Sequence, residues 1–202
     1  MNKKLIFYIL FFAILVIGFF VVLSKLIPGF TSTKVPPVGY VLPFRFITQD
    51  GKFFTDKDVT NKVYVAEYFF TTCKGICPRL NNNMRLVYNH YKNESDFLIL
   101  SHTCNPETDS ASRLKHYADS LGVSTNRWIF LTGRKDSLYY QARLSYHIDD
   151  PKNNLTSIED DFLHTQFFAL VNKKGEVKKI YDGLKQSEVE QMITDIGKLL
   201  KE

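Results

Sequence analysis

The chain has 202 residues, with 26 Lys and Arg against 21 Asp and Glu, a formal net charge of +5 and three cysteines. Setting aside Lys3, Lys4 and Lys25, with no acidic residue before Asp50, leaves 23 basic against 21 acidic residues, or +2, which gives no case for a nucleic-acid partner. About 170 residues beyond the first apolar stretch suffice for one domain with a proper core, so no disulfide staple is required.

Leu5 to Ser24 contain no charged residue, and Lys3 and Lys4 precede them. About 20 apolar residues is the length a helix needs to cross the hydrocarbon core. A cleavable signal has a shorter apolar region and a small-residue cleavage site. Here Leu26, Ile27 and Pro28 follow, with no A-x-A pattern and no lipobox cysteine. We therefore read residues 1–26 as a retained signal anchor, spanning the cytoplasmic membrane once. Lys3 and Lys4 hold the N-terminus inside, against a mild counterweight from Lys25 and Lys34, which puts the rest of the chain on the extracytoplasmic side. Residues 27–40, rich in Gly, Thr and Pro, read as an extended tether, and residues 41–202 as the domain.

Within that domain Phe44 to Ile47, the Asp50-Gly51 turn and Phe53 to Thr55 predict a hairpin. Lys62 to Phe70 is a β-branched and aromatic run suited to a strand buried on both faces. After a cysteine loop, Leu80, Met84, Val87 and Tyr91 mark a helix over 79–91. Phe97 to Leu100 reads as a strand, Ser110 to Leu121 as a helix closed by Gly122, Trp128 to Leu131 as a strand and Asp136 to Leu144 as a helix. Residues 148–161 are polar and turn-rich, a loop insertion. Thr165 to Asn172 and Glu176 to Tyr181 form a second hairpin, with Lys173-Lys174 and Lys178-Lys179 as solvated strand positions. Ser187 to Leu200 is a closing amphipathic helix. This alternation predicts an α/β fold, a mixed sheet flanked by helices, in the thioredoxin-like layout.

The informative residues are Thr71-Thr72-Cys73-Lys74-Gly75-Ile76-Cys77-Pro78, where a buried strand gives way to a helix. With Pro78 as the first helical residue, Cys77 is expected at the N-cap, beside unpaired N–H groups and the positive end of the dipole. That position, with Lys74 near, favours thiolates at the pair. Two thiolates are soft ligands selecting Cu(I), Zn or iron–sulfur. The alternative is a structural disulfide or two buried core thiols.

The cysteine loop, Asn105-Pro106-Glu107-Thr108-Asp109, Trp128 to Gly133 and Asp161-Phe162-Leu163-His164 together resemble the Sco/SenC family, in its order, from about Pro43 to the C-terminus. The resemblance implies a thioredoxin-like, membrane-anchored copper metallochaperone that helps assemble the copper centre of cytochrome c oxidase. It implies Cu(I)/Cu(II) bound by Cys73, Cys77 and His164, with the oxidase's copper-bearing subunit as partner and a copper donor or thiol reductase behind it. Alone, His164 reads as a surface residue before a strand. Two departures stand out. Lys74-Gly75 replaces the proline common after the first cysteine. Cys104 lies where the family more often has an apolar residue, and is readable as a resolving thiol, an extra copper ligand or, by preference, a buried small hydrophobe. The runner-up function is a membrane-anchored extracytoplasmic thiol–disulfide oxidoreductase with Cys73 and Cys77 redox-active, since the metal reading implies no turnover of a small substrate. A peroxiredoxin-like or purely structural role ranks lower.

Overall fold

The computed structural model describes residues 2–26, 36–150, 152, 161–163 and 165–202. They divide into two units, Met1–Pro36 and Pro37–Glu202. The first holds helix α1 (Lys3–Leu26), 24 residues with a mean hydropathy of 3.1 over its most apolar window and no buried side chain. At 1.5 Å per residue it is about 36 Å long, enough to cross a hydrocarbon core of about 30 Å. It is a candidate membrane span.

In the second unit, strands β1 (Gly39–Tyr40), β2 (Arg45–Thr48), β3 (Phe53–Thr55), β4 (Val63–Phe69), β5 (Phe97–Thr103), β6 (Trp128–Thr132), β7 (Phe167–Val171) and β8 (Glu176–Asp182) form, among the described residues, one mixed sheet in the order β1-β8-β7-β4-β5-β6-β2-β3. The centre, β4-β5-β6, is parallel; all the other pairings are antiparallel. Helices α2 (Cys77–Tyr91), α3 (Ala111–Leu121) and α5 (Gln186–Leu200) cover one face, and α4 (Lys135–Tyr140), prolonged by a wider π-type turn over Gln141–Ser145, covers the other. This is the thioredoxin-like mixed sheet that the alternation of elements predicts.

The sequence explains most of this. All seven residues of β4 are buried, as a central strand of Val, Ala and aromatics requires. On one face Val63, Val65 and Phe69 meet Leu80, Met84 and Val87 of α2 and Val189, Met192 and Ile196 of α5. On the other, Tyr64, Ala66 and Tyr68 meet Leu138, Tyr139 and Ala142. Helix α3 opens on Ser110, whose hydroxyl accepts from Arg113 N–H, and stops at Gly122 with φ 64°, a left-handed position that glycine takes without strain.

Two expectations need correction. Gly39 and Tyr40, placed in the tether, are strand: Val38 N–H donates to Val177 O at 2.7 Å and Val41 N–H to Gly175 O at 2.8 Å. And β5 does not end at Leu100 but continues through Ser101-His102-Thr103, all buried, where the Ser101 hydroxyl donates to Glu67 and the Thr103 hydroxyl to Asp109. Tether residues 27–35 and most of the 148–161 insertion lie outside the described residues.

Candidate functional site

Parallel strands β4 and β5 both end at the same edge, and the chain leaves β4 directly into the cysteine loop. Helix α2 then begins at Cys77. Its N-cap is Ile76, in a helical conformation, whose carbonyl accepts from Arg79 and Leu80 N–H at 3.0 Å each. Cys77 is therefore the first helical residue and Pro78 the second, one position later than the spacing suggested.

That shift separates the two sulfurs. Cys77 is 4% exposed, and its thiol is pushed up to about 12, first by burial, then by its hydrogen bond to Cys73 and by the charges of Cys73 and Glu67; a backbone hydrogen bond at Phe70 opposes this. Cys73 is half-buried, and burial alone would raise it. The Cys77 thiol and the backbone N–H groups of Cys77, Gly75 and Ile76 together outweigh burial and leave Cys73 below the usual thiol range. The amides at the start of α2 converge on Cys73, not on Cys77. The lowering expected of the pair falls on the first cysteine, and the second is raised instead.

The loop is tied down at its entry by Asp109, fully buried between β5 and α3. Its carboxyl accepts from Thr71 N–H at 3.1 Å, from the Thr71 hydroxyl, and from the Thr103 hydroxyl at 2.6 Å. Arg113 Nε donates to Thr71 Oγ1 at 2.7 Å and lies 3.7 Å from the carboxylate. Cys104 follows Thr103. It is 3% exposed, its N–H donates to Phe69 O at 2.7 Å, and its carbonyl accepts from the Tyr139 hydroxyl at 2.8 Å. Burial, then the charges of Cys77, Asp109 and Cys73, raise its thiol well above the usual range. Cys104 is thus a buried thiol.

His164 lies outside the described residues. Its neighbours are firmly placed. Asp161 pairs with Arg143 (Nη1–Oδ2 2.6 Å, Nη2–Oδ1 3.0 Å), and Arg143 Nε also donates to Asp149 at 2.7 Å, all nearly buried. Leu163 is buried, Thr165 Oγ1 donates to Ile148 O at 2.7 Å, and the Phe162 ring meets Phe70 edge-on at 5.2 Å. A cavity of about 10 Å³ is lined by Tyr68, Phe69, Phe70, Ile76, Cys77, Cys104, Leu163 and Thr165, so the residues flanking position 164 share a void with two of the cysteines. Among the described residues, no three of His, Cys, Asp and Glu stand close enough to hold a metal. His90, His116 and His147 are exposed.

Sequence reasoning missed two buried polar groups beneath the site. Glu67, 1% exposed on β4, accepts from the Ser101 hydroxyl through Oε1, Trp128 Nε1 donates to Ser101 Oγ at 2.7 Å, and Oε2 has no partner. Burial raises Glu67 from 4.5 to about 7, against the Ser101 hydrogen bond. His102, on the opposite face, stacks on Tyr68 at 4.9 Å with Nε2 unpartnered, and burial lowers it to about 3. A charged residue inside an all-buried strand run was the available signal for Glu67.

Known proteins share this fold. A family model described as SCO1/SenC matches residues 35–201. The SCO1 protein homolog of Bacillus subtilis (strain 168) is 32% identical over 165 residues, covering 79% of this chain and 83% of that protein. The chain spans 56% and 45% of the SCO1 proteins of Schizosaccharomyces pombe and Saccharomyces cerevisiae. The structure of BsSco, described as a member of the Sco family of cytochrome c oxidase assembly proteins with a disulfide switch, has a TM-score of 0.68 at 30% identity, covering 81% of this chain and 95% of that one. Arabidopsis thaliana ScoI, solved with copper bound, shares the fold, with a TM-score of 0.62 at 24% identity over 81% of this chain and 99% of its own. By the span of that family match and the fold that carries it, the chain belongs to the SCO1/SenC family.

Proposed function

We propose that this chain is a copper metallochaperone, anchored by α1 with its domain on the extracytoplasmic side, and that it delivers copper to the copper-bearing subunit of cytochrome c oxidase. Copper is its cargo, held by Cys73, Cys77 and His164. The observation that carries this reading is the cysteine pair itself: two thiols that shift one another's titration at a strand-to-helix junction, with the neighbours of position 164 lining the same cavity as Cys77. Two soft sulfurs suit Cu(I), and an added imidazole extends the set to Cu(II). Cys73 is primed to meet the metal, while Cys77 gives up its proton on binding, so uptake releases protons. The description of BsSco as an assembly protein and the copper in Arabidopsis ScoI support the same assignment. Lys3 and Lys4 support the orientation.

The test is a titration of the reduced full chain, in detergent micelles, with Cu(I) and Cu(II) against a competing chelator. One copper per chain is expected, with a sulfur-to-metal charge-transfer band for Cu(II). Cys73→Ala and Cys77→Ala should abolish binding, and His164→Ala should weaken Cu(II) most. Tight binding by either cysteine variant defeats the assignment. A thiol–disulfide oxidoreductase is the second reading, favoured by the opposite directions of the two thiols, which suit an attacking and a resolving cysteine. Full oxidase assembly with His164→Ala as the sole copy would move the function to that reading.

A further inference from the structure

Cys104 is not used by either reading, yet it lines the same small cavity as Cys77 at the end of β4 and β5. The void, about 10 Å³, is roughly the size of one water-sized probe. It offers water little: the Tyr68 hydroxyl donates to Leu138 O at 2.7 Å, Thr165 Oγ1 to Ile148 O at 2.7 Å, and the other lining side chains are apolar or sulfur. Two of its lining residues, Cys77 and Cys104, carry thiols, each nearly buried. Backbone geometry brings them together. Cys104 N–H is bonded to Phe69 O, at the strand end from which the chain runs into the loop that leads to Cys77.

We propose that Cys104 is a second exchange partner for Cys77, converting a Cys73–Cys77 disulfide into a buried Cys77–Cys104 disulfide. The Cys104 sulfur attacks Cys77 Sγ; the Cys77–Cys104 bond forms as the Cys73–Cys77 bond breaks. The proton of Cys104 passes to the departing Cys73 sulfur, and no electrons are gained or lost. The starting disulfide comes from exchange with a protein disulfide on the oxidising side of the membrane. The result is an oxidised chain whose bridge lies in the core and whose surface sulfur is free again to engage a partner's cysteine. The inference rests on the dithiol of the proposed function and adds a third sulfur to it.

The test uses the full chain in detergent micelles and diamide, an azo oxidant that removes two thiol hydrogens for each disulfide formed. Cys73→Ser should lose both remaining alkylatable thiols and yield a Cys77–Cys104 cross-linked peptide within one chain. The oxidised wild type should yield Cys73–Cys77 and Cys77–Cys104 peptides together, and Cys104→Val only the first. Two alkylatable thiols persisting in oxidised Cys73→Ser, or bridges only between chains, overturn the proposal. If that variant does not fold, the wild-type map decides alone: Cys73–Cys77 as its sole bridge is equally fatal. Copper titration of the reduced wild type separates the two claims, since failure to bind copper fells the metallochaperone reading and leaves the bridge map unaffected.

Discussion

The rim of the site and the middle of the sheet beneath it treat buried polar groups in opposite ways. At the rim, Asp109 has three hydrogen-bond donors, and Arg143 meets two carboxylates. In the sheet, Glu67 has one donor and a bare Oε2, and His102 stacks between rings with Nε2 unpartnered. A satisfied buried charge fixes geometry, because moving it costs every bond at once. An unsatisfied one survives by staying neutral, and so answers to pH. The rim therefore sets where the sulfurs sit, and the sheet sets how stability follows acidity.

The hardest break in the rim is Arg143→Met, which leaves Asp149 and Asp161 buried without their cation. Removing one partner from such a pair costs about 3–5 kcal/mol. Thermal unfolding should show a melting temperature lower by roughly 10–15 °C for a domain of this size; an unchanged value would mean water already reaches those carboxylates.

The sheet is tested by pH. Folded Glu67 keeps its proton up to about 7, against 4.5 in the unfolded chain, so its contribution is complete below about 4.5 and is lost as pH rises through 7. Folded His102 stays neutral down to about 3, against 6.5 when unfolded, so its contribution is present above 6.5 and is lost as pH falls towards 3. Between 4.5 and 6.5 the two slopes oppose, each at most about 1.4 kcal/mol per pH unit. Urea midpoints should therefore change little across that window in the wild type, rise with pH in Glu67→Gln, and fall with pH in His102→Gln. Parallel profiles in all three would remove the contrast between rim and sheet.

Asp109→Asn is a gentler probe, keeping the shape but turning one acceptor into a donor that faces donors. A loss of about 1–3 kcal/mol is expected, together with a changed alkylation rate at Cys73, whose loop starts at Thr71. Equal stability with unchanged alkylation would show that the tie holds nothing. The smallest effect belongs to Tyr139→Phe, which deletes the hydrogen bond to Cys104 O at a cost of about 1 kcal/mol and should leave copper affinity as it is.

Much of the fold was legible because its signals are local. β4 is an unbroken apolar and aromatic run, α2 and α5 carry helical spacing, and Gly122 marks a helix end. What escaped depends on partners distant in sequence. Ser101-His102-Thr103 looks like a loop until Glu67, Tyr68 and Asp109 are brought beside it. β1 is two residues long, too short for any pattern, and exists only because β8 offers an edge. Of the site, the cysteine pair was readable from its junction. Its asymmetry was not, because Ile76 rather than Cys77 takes the cap and one residue of phase decides which sulfur is buried. His164 was readable only through resemblance to a family, and Asp109 carried that resemblance without revealing that it ties the loop.

The short strand β1 also bears on how copies of this chain tolerate one another. An open strand edge invites pairing between copies. β1 covers β8 at Val177 and Glu176, and just past the covered stretch come Lys178 and Lys179. Two neighbouring copies that tried to zip together there would have to bring those positive charges face to face. The opposite edge is β3, only three residues long. The molecule is guarded against lateral aggregation by its own leading segment at one border and by brevity at the other.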